Sequence, residues 1–272
     1  MAGVACCSGS IDSDATPDGV EAKIAGGVNC YYNSKDPTTP SPAGVTVILV
    51  TDIFGWRLPN ARLLADRCAA RGYKCVVPDI FNETGPPPDL VTSMELLIDP
   101  KLGASFLQKA YAVGRLMYFL VPFLISNSHA AGAEIIKKII SEVRQKEPNT
   151  KIFLTGYCWG GTIAVKLAAD ASLDIVGIYA AHAGGLKVPS DFSAIRKPAA
   201  IVIAGNDFEV KEPQQKQIAE TMKKNPVRSK VVTIADVPHG FAMRGSRLDP
   251  VVNDKRNEAE KILFDFVKKV CG

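Results

Sequence analysis

Hydrophobic and polar positions follow two alternating patterns along most of the chain. Short apolar runs predict strands at 45–51, 74–79, 151–156, 174–180, 199–205 and 230–235, and the continuous β-branched run at 45–51 is typical of a strand buried on both faces. Between and after them, apolar residues recur at helical spacing over 60–72, 160–170, 214–224 and 257–270. This alternation predicts an α/β fold with a mainly parallel sheet and helices on both faces.

The segment from about 83 to 149 interrupts this rhythm. It opens with "ETGPPPD" and contains two helical stretches, at about 102–120 and 129–146. It is too long for a simple crossover, so we predict a helical insertion that caps the site. The apolar stretch at 116–125 contains Pro122 and is shorter than the roughly 20 residues that span a bilayer. We interpret it as a buried or cap helix.

The remaining parts of the chain indicate one domain. Residues 1–22 have neither the basic start nor the apolar core of a secretory signal, and we predict a mobile tail followed by a single domain over 23–272. A reduced, cytoplasmic setting is the corresponding expectation. The net charge is +4 without a dense basic run, which disfavours a nucleic-acid partner.

Cysteine and histidine usage gives no sign of a metal site. The seven cysteines are irregularly spaced and form no C-x-x-C pair, which argues against a disulfide framework or a zinc site. The chain has only three histidines, which argues against a multi-histidine site. We therefore predict no metal and no cofactor.

One glycine-rich turn carries candidate chemistry. Ligands of such sheets bind beyond the carboxyl ends of the strands. There, "TGYCWGGT" follows the strand at 151–156, and Gly156 and Gly160 flank Cys158. This is the G-x-S-x-G nucleophile turn with Cys in place of Ser, and the helix behind it favours a thiolate. A redox cysteine or a buried structural thiol is the alternative.

A nucleophilic thiol needs a histidine base oriented by an acid. Asp207 follows the strand at 199–205 and His239 follows the strand at 230–235, in the nucleophile–acid–histidine order of α/β-hydrolases. His182 also follows a strand but precedes Asp207, so we interpret it as a pocket or turn residue. His129, at the start of a helix in the insertion, is a weaker rival. The predicted triad is Cys158, His239 and Asp207.

The stretch "LVTDIFGW" follows the first buried strand. An oxyanion pocket in this type of sheet takes one N–H from the residue after the nucleophile and one from an early strand loop. Trp159 and Ile53 are the corresponding candidates. Asp52 can hydrogen-bond the thiol or a substrate group, or be an acid that starts a helix.

Four stretches together, "DIFGW", "GYCWGG", "GNDFEV" and "PHGFAMRG", resemble the dienelactone hydrolase (carboxymethylenebutenolidase) family of eukaryotic type, over roughly residues 30–270. The resemblance implies an α/β-hydrolase fold, the same triad and the same two N–H groups. It also implies contacts to the thiol or the substrate from a further group of side chains: Asp52, Phe54, Trp56 and Arg244.

This chain departs from the bacterial members that act on dienelactone. Those members have Glu where this chain has Asp52, and they bind the substrate carboxylate with two arginines. One arginine has no counterpart in "FNETGPPP", and the other falls near Met243, with Arg244 one residue later. The family's fold and triad are therefore expected here, but its dienelactone substrate is not.

The sequence thus predicts a cysteine-nucleophile hydrolase of small esters or lactones. We expect a small-molecule substrate, no nucleic-acid or membrane partner, and a monomer or homodimer. Two alternatives stay open. One is a thioesterase, or a hydrolase of a larger aromatic or polyketide-like ester or lactone, which the apolar insertion suits. The other is a non-catalytic ligand-binding or redox-sensing protein on the same fold.

Overall fold

An eight-stranded sheet forms the centre of the computed structural model, which describes residues 15–24, 26–87, 89–98, 102–245 and 250–272. Its spatial order is β1-β2-β4-β3-β5-β6-β7-β8, and only β2 runs antiparallel to its neighbours. The strands are β1 (Val20–Ile24), β2 (Val28–Tyr32), β3 (Val45–Val50), β4 (Lys74–Pro78), β5 (Lys151–Tyr157), β6 (Gly177–Ala181), β7 (Ala199–Asn206) and β8 (Ser229–Pro238).

Helices cover both faces of the sheet, as predicted. Those described are α1 (Pro59–Ala69), α2 (Leu90–Ile98), α3 (Phe106–Ser126), α4 (His129–Lys146), α5 (Trp159–Leu167), α6 (Ser190–Ser193), α7 (Glu212–Lys224), α8 (Phe241–Arg244) and α9 (Pro250–Cys271). One hydrophobic core lies between the sheet and α1 and α9, and the other between the sheet and α4, α5 and α7. Within β3, Val47 and Leu49 enter the first core, whereas Ile48 and Val50 enter the second.

The sheet begins earlier than predicted. Residues 1–14 of the predicted tail lie outside the described residues, but β1 starts at Val20 and pairs with β2 as an edge hairpin. The Gly19 N–H donates to the Tyr31 hydroxyl at 2.6 Å. β2 ends at Tyr32 and pairs antiparallel with β4. Both strands have five residues and β1 is mostly half-exposed, so neither produces the long apolar run that marks the central strands.

Over its described residues, 83–87, 89–98 and 102–149, the predicted insertion contains three helices. The unpredicted α2 precedes α3, which has 21 residues and continues through Pro122. Of the two interpretations of 116–125, a buried or a cap helix, the buried one is wrong for most of its length. Phe123 is buried, but Tyr118, Leu124 and Ile125 are 74%, 58% and 81% exposed. Among the described residues, α3 alone has the length and apolar composition of a membrane span, which is weak evidence of one.

Three backbone segments meet without side chains between them where β5 turns into α5. A Cβ at Gly156 would lie 2.2 Å from the Gly160 carbonyl oxygen, and a Cβ at Gly160 would lie 2.1 Å from the Val50 carbonyl oxygen. Real Cβ atoms do not approach oxygen so closely. Because both contacts are to backbone, a side chain here has to displace β3 or the turn itself.

We expect Gly160→Ala to destabilise the protein by about 3 kcal/mol, the upper end of the usual cost of overpacking, because the added methyl overlaps main-chain atoms. The matched control is Gly114→Ala, since Gly114 lies within α3 and its added Cβ would meet no atom within 4 Å. Ala is the better helix former, so the control should gain up to ~1 kcal/mol. Urea unfolding measures both variants, and equal free energies of unfolding would contradict the close crossing.

Candidate active site

The turn between β5 and α5 holds Cys158 in a strained conformation. Its φ of 51° and ψ of −113° lie outside the regions that side-chain-bearing residues prefer, at a cost of order 1–3 kcal/mol. Two hydrogen bonds hold the turn: the Cys158 N–H donates to the Ala181 carbonyl at 3.1 Å, and the Gly160 N–H donates to the Thr51 carbonyl at 3.0 Å. The half-buried thiol therefore lies at the carboxyl end of the sheet.

The residues predicted as a triad lie within hydrogen-bond distance of one another. His239 Nε2 lies 3.1 Å from Cys158 Sγ, and His239 Nδ1 lies 2.9 Å from Asp207 Oδ2 and 3.1 Å from Oδ1. Asp207 and His239 are 3% and 2% exposed. Asp207 directly follows β7 and His239 directly follows β8, so neighbouring parallel strands bring the two side chains to one edge.

Charge around His239 favours its protonated form. Burial lowers the pKa of His239, but the negative charges of Cys158 and Asp207, with their hydrogen bonds, outweigh burial and raise it to about 10. With both ring nitrogens protonated, Nδ1–H donates to Asp207 and Nε2–H donates to the sulfur. The imidazole thus lies between a carboxylate and a sulfur, each within hydrogen-bond distance of one of its ring nitrogens.

Two backbone N–H groups near Cys158 have no acceptor among the described residues, those of Ile53 and Trp159. By contrast, the N–H of Phe54 donates to Asp52 Oδ1 at 3.0 Å and that of Gly160 donates to Thr51. Ile53 follows β3 and Trp159 begins α5, on opposite sides of the close crossing. Both N–H groups are available to a ligand.

Asp52 and Arg244 form a buried ion pair. Arg244 Nη1 donates to Asp52 Oδ2, and both side chains are at most 3% exposed. Gly240, at φ 88°, makes room for the guanidinium, because a Cβ there would lie 2.0 Å from Arg244 Nη2. Asn60 donates to the Met243 carbonyl at 3.2 Å and fixes the segment that carries the arginine. The described hydrogen bonds of Asp52 thus go to Arg244 and Phe54, not to the thiol.

A cleft of about 240 Å³ opens beside this centre. Phe54 and Trp56, both predicted as site residues, line it together with Phe81 and Phe119. Cys158 is not among its lining residues, but Phe81 packs against Trp159 with ring centroids 6.2 Å apart. The cleft is therefore separated from the nucleophile turn by the contact between Phe81 and Trp159, and its partly apolar walls can hold a small ligand.

The other two histidines also lie near the centre. His182 is 1% exposed, its ring centroid is 5.0 Å from that of His239, and neither ring nitrogen has a described partner. Without a hydrogen bond to Cys158 or Asp207, His182 is not placed as the base.

His129 stacks on the Trp159 indole with centroids 3.9 Å apart. The sequence does not predict this contact, because it shows only that His129 begins a helix. Over the described part of the chain, no group of three His, Cys, Asp or Glu residues could hold a metal ion.

We expect His182 to make the protein sensitive to acid. Burial lowers the pKa of His182 well below its usual 6.5, and the charges of His239 and Arg244 lower it further. Below pH 6.5 the unfolded chain binds a proton at His182 that the folded chain does not. Stability therefore falls as the pH falls, by up to about 1.4 kcal/mol per pH unit.

Urea unfolding between pH 6.5 and 5 measures this loss. His182→Phe and His182→Asn differ in polarity but share the absence of a titrating ring, so both should lose less stability than the wild type over this range. Wild-type slopes in both variants would show that another group causes the acid sensitivity.

Sequence and structure comparisons agree on the relatives of this chain. The sequence profile of the dienelactone hydrolase family matches residues 31–271. A carboxymethylenebutenolidase homolog of Mus musculus is 30% identical over 237 residues, which cover 85% of this chain and 84% of that protein. "Hydrolase pyvD" of Aspergillus violaceofuscus is 27% identical over 240 residues, which cover 88% and 85%.

A solved structure supports the fold. The putative dienelactone hydrolase of Klebsiella pneumoniae superposes with a TM-score of 0.60 at 17% identity and covers 88% of this chain and 95% of its own. The family match extends over most of the sequence, and the sheet order and helix placement are those of an α/β-hydrolase. This chain belongs to the dienelactone hydrolase family and is a hydrolase of carboxylic esters or lactones.

Proposed function

We propose that this protein hydrolyses small carboxylic esters or lactones with Cys158 as the nucleophile, His239 as the acid–base group and Asp207 as the group that orients His239. The observation that carries the proposal is the chain of contacts from Asp207 through His239 to Sγ, with distances of 2.9 and 3.1 Å. These are the distances that proton transfer between a nucleophile and its base requires.

The first half of the reaction acylates the thiol. The Cys158 thiolate attacks the carbonyl carbon of the substrate, and the negative charge moves to the carbonyl oxygen. The N–H groups of Ile53 and Trp159, which have no described protein acceptor, donate to this oxyanion. The carbon–oxygen bond to the alcohol then breaks, the alcohol oxygen takes the proton from His239 Nε2, and a thioester remains on Cys158.

The second half releases the acid. Neutral His239 takes a proton from a water molecule whose oxygen attacks the thioester carbonyl. The same two N–H groups stabilise the new oxyanion, and the carbon–sulfur bond breaks. The products are the carboxylic acid, the Cys158 thiolate and the protonated His239 of the resting state. A lactone follows the same steps, and its alcohol and acid remain in one molecule.

Asp52 and Arg244 are proposed to shape the pocket rather than to act on the thiol. Each neutralises the other inside the protein, and removing one partner of such a pair costs several kcal/mol. Arg244 also lies over the Phe54 ring, with its Cζ atom 5.0 Å from the ring centroid. The pair would thereby orient an aromatic wall of the cleft.

We expect Cys158→Ala to abolish hydrolysis of p-nitrophenyl acetate and His239→Ala to lower kcat/KM by roughly 10²–10⁴, the usual contribution of a general base. The matched control is Cys271→Ala, because Cys271 is buried and its burial raises its pKa to about 11, so it should keep full activity. Circular dichroism checks that each variant is folded. Wild-type turnover by folded Cys158→Ala would refute the assignment of the nucleophile.

A larger aromatic ester or lactone is a second candidate substrate, because four aromatic side chains line the cleft: Phe54, Trp56, Phe81 and Phe119. An aromatic group among them gains contacts worth about 0.5–1.5 kcal/mol per ring pair, whereas an acetyl group does not fill the space.

We expect a higher kcat/KM for p-nitrophenyl benzoate than for the acetate. Phe119→Ala should lower kcat/KM for the benzoate roughly 2–10-fold more than for the acetate, which is the loss of one ring contact. Tyr111→Ala is the control on the same helix, since Tyr111 is 68% exposed and does not line the cleft. A sharp preference for the acetate, or equal effects of Phe119→Ala and Tyr111→Ala on both esters, would exclude this candidate.

A further inference from the structure

The most exposed apolar side chains of the described residues all lie on one helix of the insertion. Six side chains of α3 are 59–84% exposed, more than any other large apolar residue of the described chain. We call them the α3 face: Phe106, Leu107, Tyr111, Met117, Tyr118 and Ile125. At 100° per residue they occupy a continuous arc of about 140°. The opposite side of α3, with Phe123 at its centre, packs against the protein.

The area of the α3 face is large for a free surface. Its three aromatic residues alone expose roughly 350–550 Å², taking 150–250 Å² for each ring side chain. Soluble monomers rarely expose contiguous apolar patches of more than a few hundred Å². With Leu107, Met117 and Ile125 added, the face approaches the roughly 800 Å² per partner that a stable interface buries.

The centre of the arc is flat and small. Ala110 and Gly114 lie one turn apart within it, both exposed, and a Cβ at Gly114 would meet no atom within 4 Å. Two small residues spaced by four let another helix approach the backbone closely, with large side chains on either side of the contact. Aromatic and methionine side chains are also those enriched in interface cores. The shape is therefore that of a helix-packing surface.

Charge distinguishes a protein partner from a lipid surface. Helices that lie on membranes carry many basic residues beside their apolar face. The described part of α3 has only Lys109 and Arg115, and Arg115 forms an ion pair with Asp89 at 2.7 Å. An uncharged, self-complementary strip with a small centre suits an identical strip, as a two-fold symmetric interface requires.

We propose that two copies of this chain form a homodimer by packing α3 against α3 around Ala110 and Gly114. The interface lies on the outer side of the insertion. The inner side of the same helix carries Phe119, which lines the cleft. The dimer contact therefore lies on the side of α3 that faces away from the cleft, and it does not enter the cleft.

Sedimentation velocity over roughly a hundredfold concentration range tests the proposal, because dimerisation follows mass action. The wild type should sediment as a dimer at the upper end of the range. Leu107→Glu/Met117→Glu should weaken the dimer by at least about tenfold, because each dimer then buries four carboxylates. The matched control is Val251→Glu, a charge placed at a 57% exposed apolar residue outside α3, which should dimerise like the wild type.

Gly114→Leu distinguishes close helix packing from non-specific hydrophobic association. The added side chain enlarges the apolar area but blocks the close approach, so the dimer should weaken although the helix gains intrinsic propensity. Binding to phosphatidylcholine–phosphatidylserine vesicles, measured by flotation, should be absent in the wild type. Hydrolysis of p-nitrophenyl acetate at low protein concentration should match the wild type in all variants, which keeps this test independent of the catalytic assignment.

Three results would overturn the homodimer. The first is a monomeric wild type over the whole range. The second is wild-type dimerisation of both Leu107→Glu/Met117→Glu and Gly114→Leu. The third is vesicle binding by the wild type that Gly114→Leu retains and the double glutamate variant loses, which would assign the α3 face to a lipid surface.

Discussion

The contact between the main chains of β3, β5 and α5 is the constraint on which the centre depends. Gly160 touches the Val50 carbonyl oxygen and donates from its N–H to Thr51, so the first loop and the nucleophile turn have fixed positions relative to each other. The same approach brings the loop that carries Ile53 next to the turn that carries Cys158 and Trp159. The close crossing at the strained Cys158 thus depends on the absence of side chains at Gly156 and Gly160.

Two ion pairs of different kinds lie at the carboxyl edge of the sheet. Asp207 with His239 lies beside the half-buried sulfur, with His239 Nε2 3.1 Å from Cys158 Sγ. Asp52 and Arg244 are both buried, and each neutralises the charge of the other. Neutral His182 lies between the rings of His239 and Phe241, so this part of the interior gains no further positive charge.

The features that could be predicted from the sequence are those that depend on residues close together in the chain. Strands β3 to β7 are largely buried and read as continuous apolar runs, whereas β8 is a mostly half-exposed edge strand that the same pattern also predicted. The order of Cys158, Asp207 and His239 at strand ends placed them at one edge. Contacts between distant segments left no such pattern: Asp52 and Arg244 are 192 residues apart. The exposure of α3 was also missed, because an apolar residue has the same signature whether the surface covering it belongs to its own chain or to another.

The stack of His129 on Trp159 joins the insertion to the reaction centre. Trp159 supplies one of the two free N–H groups from its backbone, and its indole also meets the rings of Phe81 and Phe123. A shift of α4 therefore changes the packing of the residue that begins α5 directly after Cys158. Sequence changes in α4 can therefore alter the surroundings of Trp159 without altering any residue that lines the cleft, which separates the packing of the nucleophile turn from the shape of the cleft.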